Sequence, residues 1–298
     1  MILPAALMLL GARADWPDRE PVVALWVWQC VVAAVLVCCA LSMTFSAAAA
    51  WHAVGGRVFA TAPRPVVEAY ALGTSGLWAD TTAVALACAG LWSAAMLARE
   101  VVRARRRERR AELLRRAPLL PGETPGPDRL VVLEGDRPDA WWLPGTPPQL
   151  VVTTAALRRL EGRQLDAVLA HEKGHAQARH DWLLHCSAAL ADGFPQVPVF
   201  AAFRDEMHRL VELAADDVAS RRFGRLTTAL ALVELNEDRG VFGPCPSAQA
   251  HVPQRVHRLL TPPNRLSAAR RLRLTAAAAL VPVVPVLVAF VPGLRALG

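Results

Sequence analysis

His171-Glu172-Lys173-Gly174-His175 is a spacing with which an α-helix can hold a catalytic zinc. Two residues four apart on a helix lie about 40° from each other, so both imidazoles reach one point. The intervening glutamate projects beside that point and can take a proton from water there. A catalytic zinc takes three protein ligands and keeps a fourth position open, so one more histidine or carboxylate is needed. Glu212-Leu213-Ala214-Ala215-Asp216 offers two carboxylates one helical turn apart. Glu212 is the expected third ligand of one Zn2+ per chain, with Glu206 or Asp217 as alternatives. Asp216 is then placed to accept the free N–H of a ligand imidazole and fix its tautomer.

Two helices must carry these groups. From about 154 to 186, Leu157, Leu160, Leu165, Val168 and Leu169 recur at helical spacing and lead into the motif. Near 200–223, Phe203, Met207, Leu210, Val211, Ala214 and Val218 form an apolar stripe on the helix of Glu212. Gly174 costs about 1 kcal/mol inside a helix relative to alanine, and the absent side chain permits close approach of the second helix. On an unbroken helix His180 and His185 drift away from the motif face, so structural or surface roles are expected for both. His208, one turn before Glu212, reads more simply as a helix-face histidine than as a catalytic one. Upstream, Leu130–Leu133 and Leu150–Thr153 read as short strands bracketing Trp141-Trp142-Leu143-Pro144-Gly145. One of two adjacent strand residues must face inward, so packing is favoured over substrate contact for Trp141 and Trp142.

The rest of the chain speaks of a membrane. Hydrophobic residues make up 54% of 298, and the mean hydropathy is +0.28. Residues 21–45 carry no charge and are long enough to cross a bilayer, which takes roughly 20 residues. A second crossing is expected at 77–98 and a third at 274–294, the latter kinked by Pro282, Pro285 and Pro292. Residues 1–12 are apolar but short, a partial span or interfacial segment without the basic flank of a signal peptide. The net charge of +7 comes from arginine, with Lys173 the single lysine. Nine arginines between Arg99 and Arg116, and Arg270, Arg271 and Arg273, place the intervening block in the cytoplasm by the positive-inside rule. The basic run abuts a span and lacks interleaved aromatics, which favours an anchor beside anionic lipid over nucleic-acid binding. Cys30, Cys38, Cys39, Cys88, Cys186 and Cys245 form no C-x-x-C pair, so neither a disulfide framework nor a cysteine zinc site is indicated. The expected organisation is a membrane region at 1–98, a basic linker at 99–128, a cytoplasmic domain at 129–273 and a final span at 274–294.

Glu-x-x-Ala-Asp downstream of H-E-x-x-H resembles the membrane-embedded gluzincins: the prenyl-protein and HtpX-type proteases and the BlaR/MecR-type antirepressor metallopeptidases. Ala140 to Leu157 is similar to that group's substrate-edge strand. His251-Val252-Pro253-Gln254-Arg255-Val256-His257-Arg258-Leu259-Leu260 resembles its closing His/Pro…Arg-x-x-x-Leu segment. The interval from His175 to Glu212 leaves no room for the pair of spans found there in HtpX-type proteins, so the likeness favours the BlaR/MecR type. The resemblance implies a mostly α membrane protein with three or four transmembrane helices and a cytoplasmic α+β zincin-like domain with a small sheet. It implies a multi-pass plasma-membrane zinc endopeptidase, with Glu172 as catalytic base and His171, His175 and Glu212 as ligands. His208 or His251 would supply a further oxyanion donor, and Trp141 or Trp142 would touch substrate. The substrate would be a cytoplasmic or membrane-proximal protein such as a repressor. The alternatives are a quality-control protease and a non-catalytic signalling or scaffold protein. Few residues follow the last span, so the extracellular sensor domain of the antirepressor type is expected to be absent.

Overall fold

The structure is a computed structural model that describes residues 15–55, helical positions 85, 88, 91, 92, 95, 98, 99, 102 and 103, and residues 130–136, 138, 140–143, 149–236, 252–261 and 263–297. Residues 1–12, most of the basic linker, His251 and most of 77–98 lie outside it, as does the side chain of Trp142. The chain divides into two compact units, Trp26–Glu100 with Ser267–Gly298, and Ala5–Leu25 with Val101–Leu266.

The first unit is helical where described. The short α1 (Trp16–Arg19) belongs to the second unit, and helix α2 (Pro21–Gly55) starts there and continues in the first unit from Trp26. Its segment Pro21–Ser46 is long and apolar enough to cross a membrane. Trp26 Nε1 donates to the Thr275 carbonyl at 3.2 Å, within this unit. Helices α9 (Ala268–Leu280) and α10 (Val283–Leu297) meet at a bend of 42° and together pass the same length and composition test. Pro282 and Pro285 stand at that break, where missing N–H groups interrupt the helical ladder.

The second unit carries a three-stranded mixed sheet. Strands β1 (Leu130–Leu133), β2 (Ala140–Leu143) and β3 (Gln149–Thr153) are ordered β1-β3-β2, with β1 parallel and β2 antiparallel to β3. The tryptophan pair expected between two strands is thus itself a strand. The Leu150–Thr153 segment is central, and β2 forms an edge. Trp141 pairs across to Val151 and packs with Val131 and Leu133 on one face. The opposite face presents Ala140 and Val152 to Ala156, Leu160, Val168, Ala231 and Leu235 of the helices, which closes the core.

The helix expected over 154–186 is three helices. Thr153 caps α3 (Thr154–Arg159), its hydroxyl accepting from Ala156 N at 3.2 Å. Glu161 and Gln164 form a reciprocal capping box that starts α4 (Gly162–Gln177). Arg179 then adopts φ 52°, a left-handed turn costing a non-glycine residue about 1–2 kcal/mol, before α5 (His180–Gly193). Pro198 at the first turn opens α6 (Pro198–Phe223), Gly224 closes it at φ 91°, and α7 (Arg225–Asn236) and α8 (Val252–Leu260) follow.

Helices α4 and α6 lie against each other at Gly174. A Cβ there would meet Val218 Cβ at 3.4 Å and the Ala215 backbone at 3.6 Å. Gly174→Ala therefore adds a methyl at contact distance while gaining helix propensity, and its stability should lie within about 1 kcal/mol of wild type. Gly174→Leu must separate the helices and should cost about 1–3 kcal/mol. Denaturant unfolding of the detergent-solubilised protein, followed by tryptophan fluorescence, separates the two.

Candidate metal centre

Burial of α4 against α6 brings three donors together. His171 Nε2 and His175 Nε2 stand 3.0 Å apart. Glu212 from α6 places Oε2 at 3.5 Å from the first and Oε1 at 3.5 Å from the second. All three donor atoms lie within 4.8 Å of one another. Ligands about 2.0–2.1 Å from a tetrahedral zinc are separated by about 3.3 Å, so the triad fits that ion. His2Glu is also a donor set suited to zinc, with a fourth position open.

The outer nitrogens of both rings are held. His171 Nδ1 lies 3.1 Å from Asp216 Oδ1, and Asp216 is only 1% exposed. His175 Nδ1 lies 3.0 Å from His180 Nδ1. With His175 in the Nδ1–H tautomer, which leaves Nε2 for a metal, that contact is a donation to a neutral His180. Burial holds His180 neutral, pushing it down to about 4. His180 is 4% exposed and faces the site, not the surface. The Arg179 turn ends α4 and reverses the chain, which the drift of a continuous helix does not anticipate.

Arg255 on α8 completes the cluster. It is 3% exposed. Its Nε and Nη2 donate to the two oxygens of Asp216 at 2.8 and 2.7 Å, and Nη1 meets Glu212 Oε2 at 2.7 Å. A guanidinium fork suits this, since it keeps its charge when buried and serves two carboxylates at once. Arg255 was visible in sequence only as part of the closing segment; its role needed the fold. His208 sits one turn before Glu212 on α6 but is not one of the three donors. Glu172 follows His171 on α4 and is half-buried. Trp141 packs on the sheet face away from the helices.

Charge is finely divided here. Burial alone would raise both carboxyls, but Arg255 outweighs it, holding Glu212 well below the usual range and Asp216 at about 2. Burial would likewise lower His171, yet its bonds to Asp216 and Glu212 lift it to about 10. His175 goes the other way, to about 3, through burial together with neighbouring His171, His180 and Arg255 against the opposing pull of Glu212. Near neutral pH the metal-free centre therefore carries one imidazolium, His171, beside a neutral His175.

A family model, Peptidase family M48, matches residues 103–272, more than half of the chain. The chain belongs to peptidase family M48. Members of the M48 family are zinc metallopeptidases, and the matched region contains every residue of the centre just described. Comparisons with curated proteins and with solved structures found no match.

Four outcomes follow for this M48 centre. Zinc uptake by metal-free protein at pH 8 should release about one proton per ion, since His171 is an imidazolium up to about 10 and His175 is neutral above about 3. Calorimetry in buffers of different ionisation enthalpy counts it. That proton also stabilises the metal-free fold fully below the ordinary histidine pKa of about 6.5, and the gain is lost as pH rises through about 10. Arg255→Met leaves Asp216 and Glu212 to share the single positive charge of His171 and should cost about 3–5 kcal/mol. Arg255→Lys keeps the charge without the fork and should weaken zinc binding about 10–100-fold, measured by chelator competition.

Proposed function

We propose that this chain is an integral membrane zinc endopeptidase that cleaves a cytoplasmic or membrane-proximal protein. The observation that carries the reading is the convergence of His171, His175 and Glu212 on one point, with Glu172 on the same helix. His171, His175 and Glu212 would hold the ion. Bound zinc supplies a Lewis acid and makes water acidic enough to attack at neutral pH. Glu172 takes the proton of the attacking water at its carboxylate and returns it to the leaving amine. Asp216 and His180 hold the ligand rings in orientation, and Arg255 holds the two carboxylates. His208 and His251 are the candidates for a further oxyanion donor.

Strand β2 supports the mode of substrate binding. Among the described residues no strand pairs with its outer edge, and β2 packs beside α4. An extended peptide can add there through main-chain hydrogen bonds, with Trp141 and Trp142 in the strand it would join. A single regulatory target, such as a repressor, fits the likeness to the antirepressor type. That likeness rests on the interval from His175 to Glu212, which is occupied by α5 instead of a pair of spans. A quality-control protease is the second reading, favoured by the sequence tolerance of main-chain pairing at a bare edge.

Two features support a membrane setting, the apolar segment Pro21–Ser46 and the bent pair α9–α10. The arginines that flank 77–98 and precede 274 support a multi-pass protein of the plasma membrane with the 129–273 domain in the cytoplasm.

Detergent-purified protein should contain about one zinc per chain. Glu172→Ala should retain the metal and lower casein cleavage or self-cleavage by at least about 10²-fold. Glu212→Ala should lose the metal. Elemental analysis and a gel-based cleavage assay report both, and preparations that never hold zinc would overturn the reading. Many cleaved substrates would favour quality control, and one target the regulatory reading.

A further inference from the structure

Away from the metal centre, an open cleft in the second unit is lined by Arg19, Arg225, Arg258 and Arg265 together with Asp217 and Ser220. Four arginines and a single carboxylate thus line one cleft. That carboxylate is already engaged, by Arg258 Nη1 at 2.8 Å on Oδ1 and Arg265 Nη2 at 3.7 Å on Oδ2. Arg258 is further fixed by donating Nε to the Asp18 carbonyl at 2.7 Å. Arg19 has only the exposed Asp15 at 3.9 Å, and its Nε is buried without a hydrogen-bond partner. No carboxylate among the described residues pairs with Arg225. The cleft thus carries an excess of positive charge and one buried donor, Arg19 Nε, that an anion can answer.

We propose that this cleft binds a phosphate group, held by the guanidinium groups of Arg19, Arg225 and Arg265 and the hydroxyl of Ser220. Planar guanidinium groups and a hydroxyl match the oxygens of a phosphate mono- or diester. Two sources share that chemistry, free phosphate and the headgroup of an anionic phospholipid. The second is favoured by chain position, because Arg19 precedes the apolar helix at Pro21 by two residues, and it rests on the membrane reading above. A phosphodiester at the mouth of that helix would sit at headgroup depth. The cleft shares α8 with Arg255, one turn before Arg258.

The test is a thermal melt of the full chain in a neutral maltoside detergent. It is titrated with inorganic phosphate, or with short-chain phosphatidylglycerol against phosphatidylcholine, with sodium chloride at matched ionic strength. The wild type should show a saturable rise in Tm of about 2–4 °C. Arg225→Gln/Arg265→Gln should abolish it, whereas Arg221→Gln, on an exposed neighbouring position, should keep it. Without ligand, the double variant should melt no lower than wild type, because it relieves repulsion. Saturation at lower phosphatidylglycerol than phosphate concentration assigns the lipid; the reverse assigns the free anion. No saturable rise in the wild type, or one that survives in the double variant, overturns the proposal. Should the double variant fail to fold, Arg225→Gln alone carries the comparison. None of these readouts requires cleavage, so their failure leaves the peptidase reading standing.

Discussion

The guanidinium of Arg255 is the charge on which the second unit is built. It sits inside the protein and answers Asp216 through two bonds and Glu212 through a third contact. Removing those carboxylates from water costs several kcal/mol each, and only close, well-aligned partners offset it. One guanidinium against two carboxylates leaves a net negative charge among these three groups. In the metal-free state the His171 proton balances it. A divalent ion can take that proton's place and overcompensate the charge, so the cluster is electrostatically prepared for a cation.

That arrangement demands close geometry from the scaffold. Gly174 lets α4 approach α6, so that imidazoles from one helix meet the carboxylate of the other. Asp216 follows Glu212 by one turn, which lets a single arginine from α8 reach both. The segment α8 is itself secured one turn on, where Arg258 meets Asp217, the neighbour of Asp216. Asp18 adds a brace, paired with Arg209 of α6, which also meets Glu206 at 2.8 Å, and with Gln254 of α8 at 3.3 Å. The paired acids Asp216-Asp217 thus work inward and outward: the first faces the histidines, the second the cleft.

Much of this was legible in the residues themselves. The H-E-x-x-H helix and the apolar stripe of α6 are periodic signals, and the spacing of Glu212 and Asp216 carries its own geometry. Gly174 was legible because a glycine inside a helix needs a reason. His180 was not, since the reversal depends on Arg179 adopting a backbone conformation for which its side chain gives no sign. Arg255 lies 39 residues from Asp216. No local pattern connects them, and only the packing of α8 on α6 does. The order of the sheet was hidden for the same reason. The hydrophobic alternation marks strands but does not say which of them lies in the middle, and a tryptophan pair reads equally well as a loop or a strand.

The ties of Asp18 bear on the start of α2 as well as on the helices of the centre. They hold the residues just before α2 against helices α6 and α8 of the same unit. Asp18 therefore fastens the start of α2 to the same two helices that carry Glu212 and Arg255, through partners 191 and 236 residues along the chain.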